Sequence, residues 1–525
     1  MTVRDPRPPR SLRARAFIGA LKLGWIVFVI LTPLLGAWFS SSIAAYANGP
    51  TWLAASIGLL LFPGLPLAWE GFARYREKKR GVTRRFLTFG DRLLLRTLGI
   101  NLLFLGVLLA ARPEAGVRAV SARGDWMLDG HDGAFARPVR RGLLRCADGF
   151  DWLYRLAYDS PFDGTGDGTG DGGGEVRDDK RRKPDKPDHP PMPRGDVMRK
   201  TDDGGKPAVD APPDPTPEPA YDAQKPWPSA AKLHPKATTV PKEAEASIAT
   251  LAAWFVAQEA DPLQRFKLIH DWVADRIAYD VPSLDAHTYM TKQQALTVLQ
   301  SRVGVCAGYA QLLLELGKAA GYDVEYVTGV AKGAGGEVDG AGHAWNTVKI
   351  GGTRYLVDAT WDAGSVGDDG KTGRGFHKAY STEYLFAPPD VFGVDHYPDD
   401  AKHQLRDKPI TRGEFMRLPQ MRPRFFAQRW KLLTPDRSQI TVRDSVEVTL
   451  ENGGKRFLLA DVVPAKGGAM VPCEVREPQA GNGDTTMHVT CKVPVRGDYR
   501  LLLFDAGTRY TTYQSMGELS VLANP

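Results

Sequence analysis

The chain has 525 residues, 43% of them hydrophobic and 25% charged, with a net charge of +7. That length accommodates two or three folded units. The basic excess gathers beside apolar segments near the N-terminus with no aromatic-interleaved basic motif, so nucleic-acid binding is excluded. Ten histidines are scattered, four cysteines contain no CxxC pair and no Walker loop occurs, so neither a metal nor a cofactor is expected.

The first 115 residues read as a membrane region. Apolar runs at 16–39, 52–69 and 93–111 each approach the length needed to span hydrocarbon. Pro63, Gly64 and Pro66 interrupt the second run; Arg96 and Asn101 interrupt the third. The Arg-rich leader and the loop ARYREKKRGVTRRF are basic, and the segment between them is uncharged. Positive-inside topology then places everything after about residue 112 outside the cytoplasm. A re-entrant second run would reverse this and put the remainder on the cytoplasmic face. The segment Ala45-Tyr46-Ala47 has the form of a signal-peptidase site, but the apolar run before it is long, which favours an uncleaved anchor. Residues 116–159 read as a juxtamembrane segment, in which 139–158 alternates leucines and aromatics with arginines, the pattern either of an interfacial amphipathic helix or of a helix packed against the spans.

From 160 to 242 the composition turns to Gly, Asp, Lys and Pro with almost no aliphatic residues, the pattern of a disordered linker. Folding is expected to resume at Glu243. Two helices, EAEASIATLAAWFVAQEA and DPLQRFKLIHDWVADRIAYD, precede a short helix at 293–300. Asp261-Pro262 is a helix-start signal.

The stretch from 303 to 361 carries the chemistry. Cys306 opens the apolar run CAGYAQLLLELGKAA, with Gln311, Glu315 and Lys318 as a narrow polar stripe. A thiol in the first turn of a helix meets unpaired backbone N–H groups and the positive end of the helix dipole, and both favour thiolate. The same N–H groups can hold an oxyanion. Farther on, HAWNTVKI and TRYLVDATW flank Gly351-Gly352, a two-residue hairpin signal. That turn pairs Ile350 with Thr353 and Val348 with Tyr355. His343 and Asp358 then share one face as diagonal cross-strand neighbours. A lone buried Cys is usually an inert small hydrophobe. A helix-start Cys together with a hairpin that aligns His with Asp has instead the form of a nucleophile, a base and an orienting acid. The loop KGAGGEVDGAG before His343 reads as a flap beside the site.

The segments RVGVCAGYAQLL, GHAWNTVKI and YLVDATWD resemble the three motif blocks of the transglutaminase-like superfamily. The stretch STEYLFAPPDVFGVDHYPDDAKHQL, followed by PITRGEFMRLP, narrows the resemblance to the kyphoscoliosis-peptidase branch, over residues 261–419. The resemblance implies a papain-like triad with Cys306 as nucleophile, His343 as general base and acid, and Asp358 as orienting acid. With folding resuming at Glu243 and the C-terminal strands beginning after 430, the catalytic domain is expected over 243–430.

Residues 431–525 read as short alternating strands of a small β-sandwich, in which Cys473 and Cys491 are a candidate disulfide if the domain is outside the cytoplasm. The expected fold class is α+β, with transmembrane helices before the catalytic domain and the sandwich after it. The expected activity is that of a membrane-anchored cysteine peptidase or amidase acting on protein or peptide at the cell envelope. A protein cross-linking transglutaminase shares the same first half-reaction, and a binding scaffold with an inert triad is the non-enzymatic alternative.

Overall fold

A computed structural model describes most of residues 34–150, the strand Met198–Lys200 and most of 226–523. Among the larger stretches outside the described residues are 1–23, 81–87, 151–197, 201–225, 334–341, 368–373 and 479–484. The greater part of the expected linker and the flap before His343 therefore lie outside the described residues. The chain divides into two compact units, 1–157 and 158–525.

In the first unit the helix α1 (Leu65–Arg80) takes in only the end of the second expected span and the basic segment after it, and α2 (Phe89–Ala111) covers the third. Most of the first expected span lies outside the described residues. Among the described residues no helix is long and apolar enough to cross a membrane, so the expectation of three spans is not supported. Polar side chains lie in and beside these runs. Glu70, almost fully buried, pairs with Arg74 and Arg92 at 2.8 Å each and with Arg96, so two arginines of α2 are tied to a carboxylate of α1. Thr97 and Asn101 are also buried. The basic helix α3 (Ala136–Asp148) follows, with Arg140 bonded to Asp125 at 2.9 Å and Cys146 exposed.

The second unit begins earlier than Glu243. Residues 226–240 form a strap across the core. Trp227 Nε1 donates to the Glu383 carbonyl at 2.9 Å, and the His234 amide donates to Asp271 at 2.6 Å. Lys267 Nζ donates to the Lys232 carbonyl at 2.9 Å, and Ala237 is fully buried. A composition poor in aliphatics hid this, because the strap is held mainly by hydrogen bonds and by Trp227.

Behind the strap lie α4 (Ile248–Gln258), started by a Ser247/Thr250 capping box, and α5 (Pro262–Arg276), where Asp261 accepts the Gln264 amide at 2.8 Å. The short strand β1 (Ala278–Tyr279) pairs in parallel with β2 (Val303–Gly304), and α6 (Ala295–Ser301) lies between them in sequence. Then comes α7 (Cys306–Ala319), buried along nearly its whole length. It packs against a five-stranded antiparallel sheet of β3 (Asp323–Ala331), β4 (His343–Ile350), β5 (Thr353–Val357), β6 (Leu385–Ala387) and β7 (His396–Pro398), in the order β7-β3-β4-β5-β6. The core of Phe255, Phe266, Trp272, Leu312, Leu313, Leu316 and Val348 fills the space between helices and sheet. This is an α+β domain.

Two sheets form the C-terminal sandwich. One runs β8 (Trp430–Thr434), β9 (Ser445–Asn452), β12 (Thr486–Lys492) and β11 (Glu474–Arg476). The other centres on β10 (Phe457–Pro464), β13 (Gly497–Ala506) and β14 (Thr512–Ala523). Val446, Val448, Leu450 and Val489 of the first sheet face Val462, Leu501, Leu503 and Val521 of the second in one core. The sandwich is not confined to 431–525, since β14 also pairs with Gln420–Met421 and with Met198–Lys200. Cys473 and Cys491 are joined by a disulfide.

Candidate active site

The hairpin sets the register. Gly351 and Gly352 sit at φ +57° and +87°, the left-handed pair that a two-residue primed turn requires. Ile350 pairs with Thr353 and Val348 with Tyr355. His343 opens β4 and Asp358 follows β5, and His343 Nε2 lies 2.7 Å from Asp358 Oδ2. The other oxygen, Oδ1, accepts the amides of Thr360 and Trp361 at 2.8 and 3.2 Å. Asp358 thus has both oxygens occupied by donors.

Cys306 is the first residue of α7 and is fully buried. Its approach is fixed from behind by Gln293, whose Oε1 accepts the Val305 amide at 3.0 Å. Gly308 leaves room for that carboxamide: a Cβ there would stand 2.4 Å from Gln293 Oε1 and 2.9 Å from a Val298 methyl. His343 Nδ1 has no hydrogen-bond partner among the described residues, and the Cys306 thiol is near enough to favour the protonated ring. Burial alone would lower the basicity of His343; the Asp358 carboxylate overcomes it and raises it above the ordinary imidazole value. Burial would likewise raise the Asp358 pKa, but His343 and then His396 hold it well below the usual carboxylate range.

Two residues to which the sequence assigns no role, Tyr279 and His396, adjoin the triad. Tyr279 lies on β1, opposite Gly304 and two residues upstream of the nucleophile in that register. Its hydroxyl is buried without a partner among the described residues, and burial followed by the charge on Cys306 raises its pKa. His396, which the sequence offers only as part of an H-x-P element, places Nε2 3.1 Å from Asp358 Oδ2. Its Nδ1 lies 2.7 Å from Asp395 Oδ1, and the Tyr384 hydroxyl donates to Asp395 Oδ2 at 2.6 Å. An isolated His 38 residues beyond Asp358 offers no spacing by which to find it.

A second buried polar cluster lies away from the thiol. His270 sits 3.0 Å from Asp271 Oδ1 and 3.2 Å from Asp362 Oδ2. Asp271 is also held by Lys267 and by the Tyr380 hydroxyl at 2.6 Å. This cluster ties α5 to the strap and to the segment after Trp361, a structural role.

Among the described residues, the group with metal-ligand spacing is His343, Asp358 and His396, whose ligand atoms lie within 4.8 Å of one another. Both nitrogens already contact the one oxygen Oδ2, so an ion there would have to break both contacts. A separate cavity of about 190 Å³ lies between the α+β core and the sandwich, lined by Lys332, Trp361, Tyr384, Asp395, Gln420 and Arg500 among others; Cys306 and His343 do not line it. Lys332 is fully buried there, donates to the Leu418 carbonyl at 2.8 Å, and is pushed down by burial to a pKa of about 7.

Residues 249–360 match the family model described as the transglutaminase-like superfamily. The chain is 31% identical over 205 residues to the kyphoscoliosis peptidase of Mus musculus, covering 37% of this chain and 30% of that protein. It is 30% identical over 199 residues to the Homo sapiens kyphoscoliosis peptidase, covering 36% of this chain and 29% of that protein. The chain therefore spans less than a third of the length of these relatives. A solved structure described as a crystal structure of a TGase aligns over 23% of this chain and 33% of its own at 18% identity, with a TM-score of 0.18.

Proposed function

Because residues 249–360 are a domain of the transglutaminase-like superfamily, related to the kyphoscoliosis-peptidase branch, we propose that this protein is a cysteine-nucleophile acyl-transfer enzyme. The observation that carries the reading is the His343–Asp358 contact of 2.7 Å, with His343 Nδ1 left unpartnered beside the Cys306 thiol. In this mechanism the Cys306 thiolate adds to an amide carbonyl of a protein or peptide, forming an S–C bond. The negative oxygen is held by the first amides of α7, which the helix itself does not use. The Tyr279 hydroxyl is a second donor for it. His343 gives its proton to the nitrogen as the C–N bond breaks. Water then attacks the thioester, passing a proton to His343, and the acid and free thiol are released. An amine in place of water gives cross-linking instead. Asp358 keeps Nδ1 of His343 aimed at sulfur by holding Nε2–H.

The relatives are peptidases by name, which favours hydrolysis over cross-linking. The exposed Trp52, Leu59, Trp69, Phe72, Leu102 and Leu103 of the first unit and its basic helix α3 support attachment to a membrane. The Cys473–Cys491 disulfide supports placement outside the cytoplasm. One observation favours the non-enzymatic alternative: Cys306 and His343 are both fully buried.

The deciding experiment treats the full chain with a mixed peptide library, with and without a fluorescent primary amine, beside Cys306→Ala. Cys306-dependent peptide cleavage establishes the peptidase, and Cys306-dependent amine incorporation establishes the cross-linker. Neither product, with Cys306 inert to iodoacetamide at every pH, leaves a binding domain with an inert triad.

A further inference from the structure

Two histidines meet at one oxygen. Asp358 Oδ2 faces His343 Nε2 at 2.7 Å and His396 Nε2 at 3.1 Å. The remaining nitrogen of His396 faces Asp395 Oδ1 at 2.7 Å. A neutral imidazole carries a single N–H, and a carboxylate oxygen only accepts. With a carboxylate at each nitrogen, the doubly protonated ring alone satisfies both contacts. We propose that His396 is a buried imidazolium that shares Asp358 with His343, so that it sets the basicity of the proposed catalytic histidine as a positioning residue. This inference rests on the acyl-transfer reading above.

The surroundings fit that assignment. The titratable groups in contact with His396 are Asp358, Asp395, His343 with ring centroids 5.3 Å apart, and Tyr384 at 5.2 Å, while His403 and Arg406 line a small cavity on its other side. Beyond them, the Lys332 amide donates to the Asp395 carbonyl and its ammonium acts on the Asp395 charge, while Tyr309 senses Asp358. The other walls are Phe392, Trp361 and Trp345, at 4.1, 4.4 and 5.2 Å between centroids. Little water reaches the group, since His396 is 2% exposed, so its charge acts on Asp358 and His343 with little screening. Burial alone would push the imidazole down; Asp395 and Asp358 hold it up at about 9.

The consequence is a divided carboxylate. Asp358 bound to His343 alone would grip the imidazolium proton tightly and surrender it reluctantly to a leaving amine. A fixed positive charge on the same oxygen weakens that grip. Removing the charge should therefore raise the pH at which His343 loses its proton.

The test uses the full chain carrying Cys146→Ser, which leaves Cys306 as the one free thiol beside the disulfide. Iodoacetamide alkylation is followed by intact mass from about pH 4 to about pH 11. The parent protein is expected to show a plateau, bounded below by thiolate formation and above by loss of the His343 proton. In His396→Gln, which keeps a donor to Asp358 but no charge, the upper inflection should move up by about one pH unit. Asp395→Asn should move it the same way by releasing the His396 proton. Near-UV circular dichroism checks folding, and Asp395→Asn decides if His396→Gln does not fold. A parent plateau whose upper inflection is unmoved in the folded variants overturns this inference and leaves the triad standing. No plateau in the parent overturns both.

Discussion

At the scale of single residues, the site is a competition between burial and charge. Tyr279, Cys306, His343, Asp358 and His396 are all nearly or wholly buried, yet only the Tyr279 hydroxyl and His343 Nδ1 lack partners among them. An unsatisfied hydroxyl is costly unless it is used. Tyr279→Phe is expected to lower kcat on the order of 10²-fold with little change in KM, while the thermal midpoint holds or rises. A fall in KM-dependent binding with kcat intact would remove Tyr279 from the oxyanion site. His396 gives a pH signature in stability. Its folded pKa of about 9 lies above the ordinary value of 6.5. Its contribution is therefore full below about pH 6.5 and lost as pH rises through 9, on the order of 3 kcal/mol. The difference in urea midpoint between the parent and His396→Gln should be large at pH 6 and nearly gone at pH 10. A pH-independent difference would contradict a charged ring.

At the scale of elements, α7 and the β4–β5 hairpin carry most of the site, and both are legible in the sequence. Gly351-Gly352 between alternating strands fixes a turn, the turn fixes the register, and the register brings His343 and Asp358 together. β4 is buried on both faces: Asn346 donates to the Ala310 carbonyl of α7 at 3.0 Å, while Trp345 packs against Phe392 and His396. Hydrophobic alternation identifies a face that is covered but does not reveal what covers the other. The entry to α7 depends on contacts distant in sequence and is invisible to periodicity. Gln293→Ala should strand the Val305 amide and loosen the first turn. Alkylation of Cys306 should then lose its dependence on His343, while far-UV circular dichroism stays unchanged. Retained dependence would show that the helix start is fixed without Gln293.

At the scale of the molecule, what sequence reading misses is made of polar contacts over long separations. The cluster of Lys267, His270, Asp271, Asp362 and Tyr380 unites segments more than a hundred residues apart. The sandwich draws Gln420–Met421 and Met198–Lys200 into its sheet from outside the expected domain. The apolar runs of the first unit have the length of spans, but no pattern of hydropathy reveals the pairing of Glu70 with Arg92 and Arg96. The Cys473–Cys491 bond closes a loop of 18 residues. Replacing both with Ser is expected to destabilise the sandwich by about 3 kcal/mol, seen as a lower urea midpoint in tryptophan fluorescence. An unchanged midpoint would make the bond dispensable.

The strap also fixes where the chain can be cut without harm. Trp227, Lys232 and His234 supply or receive bonds that Glu383, Lys267 and Asp271 use inside the folded unit. A protease that cleaves before residue 198 would release this unit with its described contacts intact, including the strand Met198–Lys200 on β14. One that cleaves between 227 and 242 would leave a buried carboxylate and a buried lysine each short of a partner. The stretch before α4 therefore holds two kinds of scissile position: the first detaches the unit, and the second dismantles it.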